Sequence, residues 1–256
     1  MTSNSNSTSA SADLSPHKAV ILAAGVGSRI RPLTDGCPKT LLEVGGVPIL
    51  ERMLTNISSC GIGETIIVLG YLPEQIESFV RDTFPALNVQ FVVNDRYDET
   101  NTGYSLMLVE EAVGESSFVK FDGDVVFDVE ILQRLLSSTT GNQLCIDRNI
   151  QLDAEEVKVT LSGNTRVAKV SKSLAPGEAI GESIGIERIS SQTAKLLFVE
   201  LRAMMRNPQN LQEYYEGAYE LLISNGVVFD ALDITGLAWT EIDTYDDFES
   251  ASKIFR

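Results

Sequence analysis

Five charged residues in this chain have the types and surroundings to do chemistry. They are Arg29 and Lys39 near the amino end, Asp122 and Asp124 near the middle, and Asp243 close to the carboxyl end. Arg29 and Lys39 belong to residues 18–39, where a short apolar run, Ala19–Ala23, passes directly into a turn carrying Gly25 and Gly27. An apolar strand that ends in such a turn presents backbone N–H groups at its carboxyl end, where open α/β sheets receive ligands. Glycines let that backbone close around phosphate oxygens, and Arg29 and Lys39 add positive charge. This is the chemistry of holding a nucleoside triphosphate. Spacing excludes two commoner glycine loops. Ile30 stands where a dinucleotide fingerprint needs its third glycine, and Gly27 is followed by Ser28-Arg29 rather than by the Lys-Ser/Thr of a Walker loop.

The carboxylates complete the set. Asp122-Gly123-Asp124 follows the apolar run Phe118–Phe121, and Glu241-Ile242-Asp243-Thr244 closes a second run just before the last helix. Magnesium takes a few carboxylates together with phosphate oxygens and water, and two carboxylates at strand ends meet that requirement. Either aspartate alone would equally suit a helix or turn cap.

The run Leu22-Ala23-Ala24-Gly25-x-Gly27-Ser28-Arg29-x-x-Pro32-Leu33-Thr34, followed by Pro38-Lys39, resembles the signature of the sugar-phosphate and alcohol-phosphate nucleotidyltransferases. Those enzymes join a nucleoside triphosphate to a phosphorylated small molecule and release pyrophosphate. The resemblance implies an α/β, Rossmann-like three-layer nucleotidyltransferase fold with a mainly parallel mixed central sheet. It implies nucleotide contacts from Leu22, Ala23, Ala24, Gly25, Gly27, Ser28 and Asp122, and catalytic roles for Arg29 on the triphosphate tail and Lys39 at the reacting centre. Asp124 and Asp243 match the family's metal-binding aspartates, so Mg2+ is the expected cofactor.

A second block, Asn101-Thr102-Gly103-Tyr104-Ser105-Leu106, is similar to the branch that makes CDP-activated alcohols and phosphonates. In pyrimidine-using relatives this position contacts the base, which would engage Thr102, Gly103 and Ser105. Asn101 and Thr102 are equally competent helix caps. Members with choline or phosphonate acceptors commonly have two adjacent asparagines here, whereas Asn101-Thr102-Gly103 is closer to an inositol-phosphate loop. Lys172 corresponds to a lysine that contacts the acceptor phosphate in sugar-phosphate relatives, and Glu182 is placed to receive a hydroxyl or an ammonium. The expected partners are therefore CTP and a small phosphorylated or phosphonate acceptor. UTP or dTTP with a sugar 1-phosphate stays open, as does a nucleotide-binding regulator without catalysis, and a homodimer is compatible with all three.

Composition narrows the setting. A net charge of −16 argues against nucleic-acid or anionic-membrane surfaces, which need clustered Lys and Arg. Cys37, Cys60 and Cys145 lack metal-ligand spacing and read as reduced thiols of a cytoplasmic protein, and the single histidine, His17, excludes a histidine-based triad. No apolar run approaches a membrane span. Residues 1–17 read as a disordered leader rich in Ser, Asn and Thr.

These residues must be held by alternating strands and helices. Strands are expected at Ala19–Ala23, Thr65–Leu69, Val89–Val93 and Phe118–Phe121, with helices at Pro48–Cys60, Pro73–Phe84, Thr102–Val113 and from Asp128 to Leu136. Beyond them the expected strands are Val157–Leu161, Arg166–Ser171, Ile180–Ile189, Val227–Ala231 and Trp239–Ile242. Helices are expected at Ser191–Met205, Leu211–Ser224 and from Tyr245. One domain over residues 18–256 is expected, with a nucleotide half to about residue 125 and an acceptor half after it.

Overall fold

The computed structural model describes residues 18–149, 152 and 155–256, so the expected leader and His17 lie outside the described residues. Strand β1 (Lys18–Ala23) pairs in parallel with a strand on each side. A short hairpin, β2 (Glu43–Val44) and β3 (Val47–Pro48), leads into helix α1 (Ile49–Ser59), and β4 (Glu64–Leu69), α2 (Pro73–Thr83) and β5 (Val89–Val93) follow. Helices α3 (Thr102–Met107) and α4 (Glu110–Val113) then precede β6 (Phe118–Asp122), β7 (Val125–Phe127) and α5 (Val129–Ser137). The second part of the chain contains β8 (Gln143–Asp147), β9 (Lys158–Ser162), β10 (Arg166–Ser171), β11 (Gly181–Ile189) and α6 (Ser191–Met205). It ends with α7 (Glu216–Ser224), β12 (Asp230–Asp233), β13 (Trp239–Glu241) and α8 (Tyr245–Ile254).

Nine strands form one mixed sheet in the order β5-β4-β1-β6-β11-β8-β12-β10-β9. The block β5-β4-β1-β6 is parallel, and the sheet turns antiparallel where β11 joins β6. Alternation along β1 explains the three layers. Val20 and Leu22 enter a core shared with α3, α6 and α7, while Ala19, Ile21 and Ala23 enter a core shared with α1, α2 and α5. Because both faces are covered, β1 and β4 are almost continuously apolar, as buried parallel strands must be.

Helix boundaries follow local chemistry. Pro73 opens α2, and the Asp128 side chain accepts from Glu130 N at the start of α5. Ser190 caps α6 through Thr193 N, and Thr244 with Asp247 forms a capping box on α8. Three expectations shift. The helix expected over Thr102–Val113 is two helices, with Leu106, Val109 and Val113 all kept in one core. Residues 211–215 do not join α7, because the carbonyls of Leu211 and Glu213 accept from Asn101 N and Gly103 N and tie this stretch to the start of α3. The strand expected at Val227–Ala231 lies at Asp230–Asp233, in register with β8, a strand that hydrophobic patterning misses. Among the described residues no helix is long and apolar enough to cross a membrane.

Candidate active site

The chain crosses from β1 to β4 on one side and meets β6 on the other, which opens a crevice at the carboxyl ends of β1 and β6. The two strand ends are stitched together by Gly123 N donating to Leu22 O at 3.0 Å, and a Cβ on Gly123 would stand 2.5 Å from that same oxygen. The glycine loop closes over this crevice. Gly27 adopts φ +65, and its carbonyl accepts from Thr34 Oγ1 at 2.9 Å, which folds the loop back on itself. Ile30 anchors the far side in a small core with Leu42, Val44, Ile49, Val126, Ile242 and Ala251. A Cβ on Gly25 would meet no protein atom within 4 Å. The protein's own packing does not need a glycine there, and the space it leaves opens onto the cleft.

The result is a cleft of about 290 Å³ whose lining includes Gly25, Arg29, Lys39, Asp124, Lys172 and Asp243. Lys39 Nζ donates to Asp124 Oδ2 at 2.6 Å and to Asp243 Oδ1 at 2.8 Å. Arg29 Nη2 lies 2.7 Å from Asp243 Oδ2, and its Nη1 lies 3.5 Å from Glu155 Oε2. Burial alone would depress the Lys39 ammonium, but Asp124 and Asp243 outweigh it and hold the group above its ordinary range. Pairing of β13 with β7 places Glu241 opposite Val125, and Ile242 N donates to Asp124 O at 3.1 Å. These bonds bring the two distant aspartates together. Asp247 fixes the second of them by accepting from Asp243 N at 3.1 Å and Thr244 N at 2.7 Å.

Asp124, Glu241 and Asp243 can each turn one carboxylate oxygen to a common point, the three atoms lying within 4.8 Å of one another. Hard oxygen donors of this kind suit magnesium, and the Lys39 ammonium already sits as a cation between two of them. The residues therefore fit a divalent ion. Glu241, the last residue of β13 and two residues before Asp243, is not among the expected ligands.

The structure brings together Leu22, Ala23, Gly25, Gly27, Ser28, Arg29, Lys39, Thr102, Asp122, Asp124, Lys172 and Asp243 around this cleft. Four other expected contacts lie elsewhere. Ala24 is buried with its carbonyl accepting from Tyr71 N, and Gly103 is packed against the Glu213 carbonyl, which a Cβ would approach to 2.7 Å. Ser105 Oγ is buried and accepts from Asn94 Nδ2 at 3.1 Å. Glu182 lines a neighbouring cavity. Asn101 is the cap of α3, accepting from Thr102 N at 2.8 Å, which leaves the Thr102 hydroxyl on the cleft wall without a protein partner.

A buried charge network that sequence patterning does not reveal lies beneath Asp122. Lys120 Nζ, fully buried, lies 2.9 Å from Asp122 Oδ2 and 2.8 Å from Glu187 Oε2, and donates to the Tyr215 hydroxyl. Tyr215 in turn donates to Asp122 Oδ2 at 2.7 Å. Burial lowers the basicity of Lys120, but Asp122 and Glu187 more than restore it, so the ammonium stays charged. Burial, followed by the Asp122 charge, pushes the Glu216 carboxyl up to about 7. Gly185, at φ +75, completes the seat, since a Cβ there would fall 2.4 Å from Asp122 Oδ2. Asp122 is thus pinned through one oxygen, and its other oxygen has no protein partner.

Residues 19–153 match the family described as MobA-like NTP transferase domain. The chain belongs to this family. It is 29% identical over 257 residues to a CMP-5'-(3-aminopropyl)phosphonate synthase of Streptomyces rubellomurinus, covering 97% of this chain and 40% of that protein. It is 39% identical over 105 residues to a choline-phosphate cytidylyltransferase of Streptococcus pneumoniae, covering 41% of this chain and 44% of that protein. The aligned segments thus span less than half the length of either relative. The inositol-1-phosphate CTP transferase of T. maritima superposes with a TM-score of 0.78 at 20% identity, covering 94% of this chain and 96% of that one. The architecture is therefore the mixed α/β nucleotidyltransferase fold.

Proposed function

We propose that this MobA-like NTP transferase chain is a magnesium-dependent cytidylyltransferase that moves CMP from CTP to a small phosphomonoester or phosphonate. The observation that carries the reading is the meeting of Arg29 and Lys39 with Asp124 and Asp243 in one cleft floored by the Leu22–Gly27 turn. Relatives named for CMP-phosphonate synthesis and choline-phosphate cytidylyl transfer support the choice of nucleotide and acceptor.

The reaction is an in-line displacement. An anionic oxygen of the acceptor forms a bond to the α-phosphorus, the bond from that phosphorus to the bridging oxygen breaks, and its electron pair leaves with pyrophosphate. The acceptor oxygen is already ionised, so no general base is required, and no covalent enzyme intermediate forms. The protein's work is to position two anions that repel each other and to offset their charge. Arg29 grips the triphosphate tail and Lys39 neutralises charge at the reacting phosphate. A magnesium ion on Asp124 and Asp243, with Glu241 in reach, supplies further charge neutralisation when bound. Asp122 and Thr102 offer unpartnered oxygens to the nucleoside, and Lys172 offers an ammonium to the acceptor phosphate.

Pyrophosphate release with CTP, UTP, dTTP and ATP across a panel of phosphomonoesters, phosphonates and sugar 1-phosphates tests this reading. Turnover with CTP and a non-sugar acceptor is expected. Turnover confined to UTP or dTTP with a sugar 1-phosphate would replace it with the sugar-nucleotide alternative, and CTP binding without turnover on any acceptor would favour a regulator.

A further inference from the structure

Beside the nucleotide cleft lies a second cavity of about 410 Å³ that shares Arg29, Glu155, Glu241 and Asp243 with it. Beyond those shared residues it is walled by Asp147, Glu156, Glu182 and Trp239. Carboxylates dominate the lining, and Arg29, the one cation among the described lining residues, is already paired with Asp243 and Glu155. Such a cavity repels anions and favours a cation.

Glu182 makes it more than an acidic patch. The residue is 5% exposed, and its Oε2 is buried without a hydrogen-bond partner. Register on β11 sets it opposite Asp147 of β8 and Lys158 of β9, and Lys158 Nζ donates to the Glu156 carbonyl at 2.9 Å. Burial, then Glu156 and Asp147, pushes the Glu182 carboxyl up to about 8 against the opposing charges of Lys158 and Lys172. A buried carboxyl with an orphaned oxygen among other carboxyls is costly to ionise until a cation or N–H donor reaches it. Trp239 Nε1 donates to Asp147 Oδ2 at 2.8 Å and so fixes the opposite wall. The indole is the one aromatic ring among the described lining residues, whereas quaternary ammonium groups are recognised by aromatic cages. A primary ammonium, with three N–H donors, matches carboxylate acceptors better.

We propose that this cavity receives the primary ammonium of an aminoalkyl phosphonate or phosphate acceptor, with Glu182 as its hydrogen-bonding partner. The shared wall of Arg29 and Asp243 sets the two sites side by side, so an acceptor that crosses this wall would keep its anionic end in the first cavity and its ammonium in the second. The inference rests on the transferase reading, and its test separates the two.

The test compares kcat/KM, with CTP and magnesium, for 3-aminopropylphosphonate, its neutral isostere butylphosphonate and the N-trimethyl derivative. A charge-assisted hydrogen bond makes the primary amine better than either by about 10- to 100-fold. Glu182→Gln is expected to raise KM for the amine with kcat maintained, and so to erase most of the preference. Equal kcat/KM for amine and isostere in the wild-type protein would overturn the proposal, with no variant needed, as would a preference for the trimethyl derivative. A Glu182→Gln effect of the same size on all three acceptors would also overturn it. Calorimetry showing a second magnesium ion per chain, lost in Glu182→Gln, would assign the cavity to a metal instead. Calorimetry of CTP with magnesium alone isolates the underlying reading: CTP that fails to bind overturns the transferase assignment, whereas CTP that binds beside indifferent acceptors overturns only the ammonium site.

Discussion

Replacing Lys39 by methionine separates the electrostatic role of its ammonium from that of its stem. The ammonium makes contacts of 2.6 and 2.8 Å to Asp124 and Asp243, with side-chain exposures of 11% for Lys39, 24% for Asp124 and 21% for Asp243. Removing one partner of a fully buried ion pair costs about 3–5 kcal/mol, because an uncompensated charge stays behind. Partial exposure of the two aspartates screens part of that, leaving about 2–3 kcal/mol. For a chain of this size the loss lowers Tm by roughly 5–10 °C in the presence of a chelator. Magnesium should then rescue the variant. An ion that binds only the folded state adds about 2.7 kcal/mol at 100 times its Kd, enough to cancel the deficit. The wild-type protein should gain less, because Lys39 already occupies the carboxylates that the ion would use. Thermal denaturation of both proteins with EDTA, then across a magnesium titration, reads these shifts, and turnover should fall about 100- to 1000-fold as a phosphate-neutralising group is lost. A Lys39→Met variant as stable as wild type in EDTA, or equal magnesium shifts in both proteins, would refute the electrostatic account of the site.

Two further outcomes follow from the network under Asp122. Gly185→Ala puts a Cβ 2.4 Å from Asp122 Oδ2 at φ +75, so it should destabilise the chain by about 1–3 kcal/mol and raise KM for the nucleotide, read by denaturation and steady-state kinetics. Glu216, pushed to about 7 from a usual 4.5, ionises in the unfolded chain before it does so in the folded one, so the native state holds the extra proton between those values. Its contribution therefore disfavours folding progressively as pH rises from 4.5 to 7 and stays unfavourable above that. Glu216→Gln should gain on the wild-type protein by about 2–3 kcal/mol between pH 4.5 and 7.5. A stability difference flat across that window would show that Glu216 ionises normally.

The parts of the site legible in the sequence share one property, contiguity. Leu22, Gly25, Gly27, Arg29 and Lys39 stand on one strand and the turn that follows it, so spacing alone reports what they can grip. Asp124 and Asp243 are far apart in sequence, yet each follows an expected strand, and strand ends are where an α/β sheet presents ligands. The hidden parts depend on which strands become neighbours. Lys120 reads as a charged interruption of an apolar strand until β11 pairs with β6 and sets Glu187 directly opposite it. Tyr215 and Glu216 read as the interior of a longer helix until the start of α3 engages the carbonyls of Leu211 and Glu213 and delays α7. The same long-range pairing gives the cluster its purpose. An ammonium buried among Asp122, Glu187 and Glu216 cannot leave without stranding carboxylates, so it holds the Asp122 side chain in one orientation on the cleft wall. The motif supplies the charged groups of one wall, and this network, assembled from β6, β11 and the start of α7, keeps the cleft's remaining polar wall in shape before any ligand arrives.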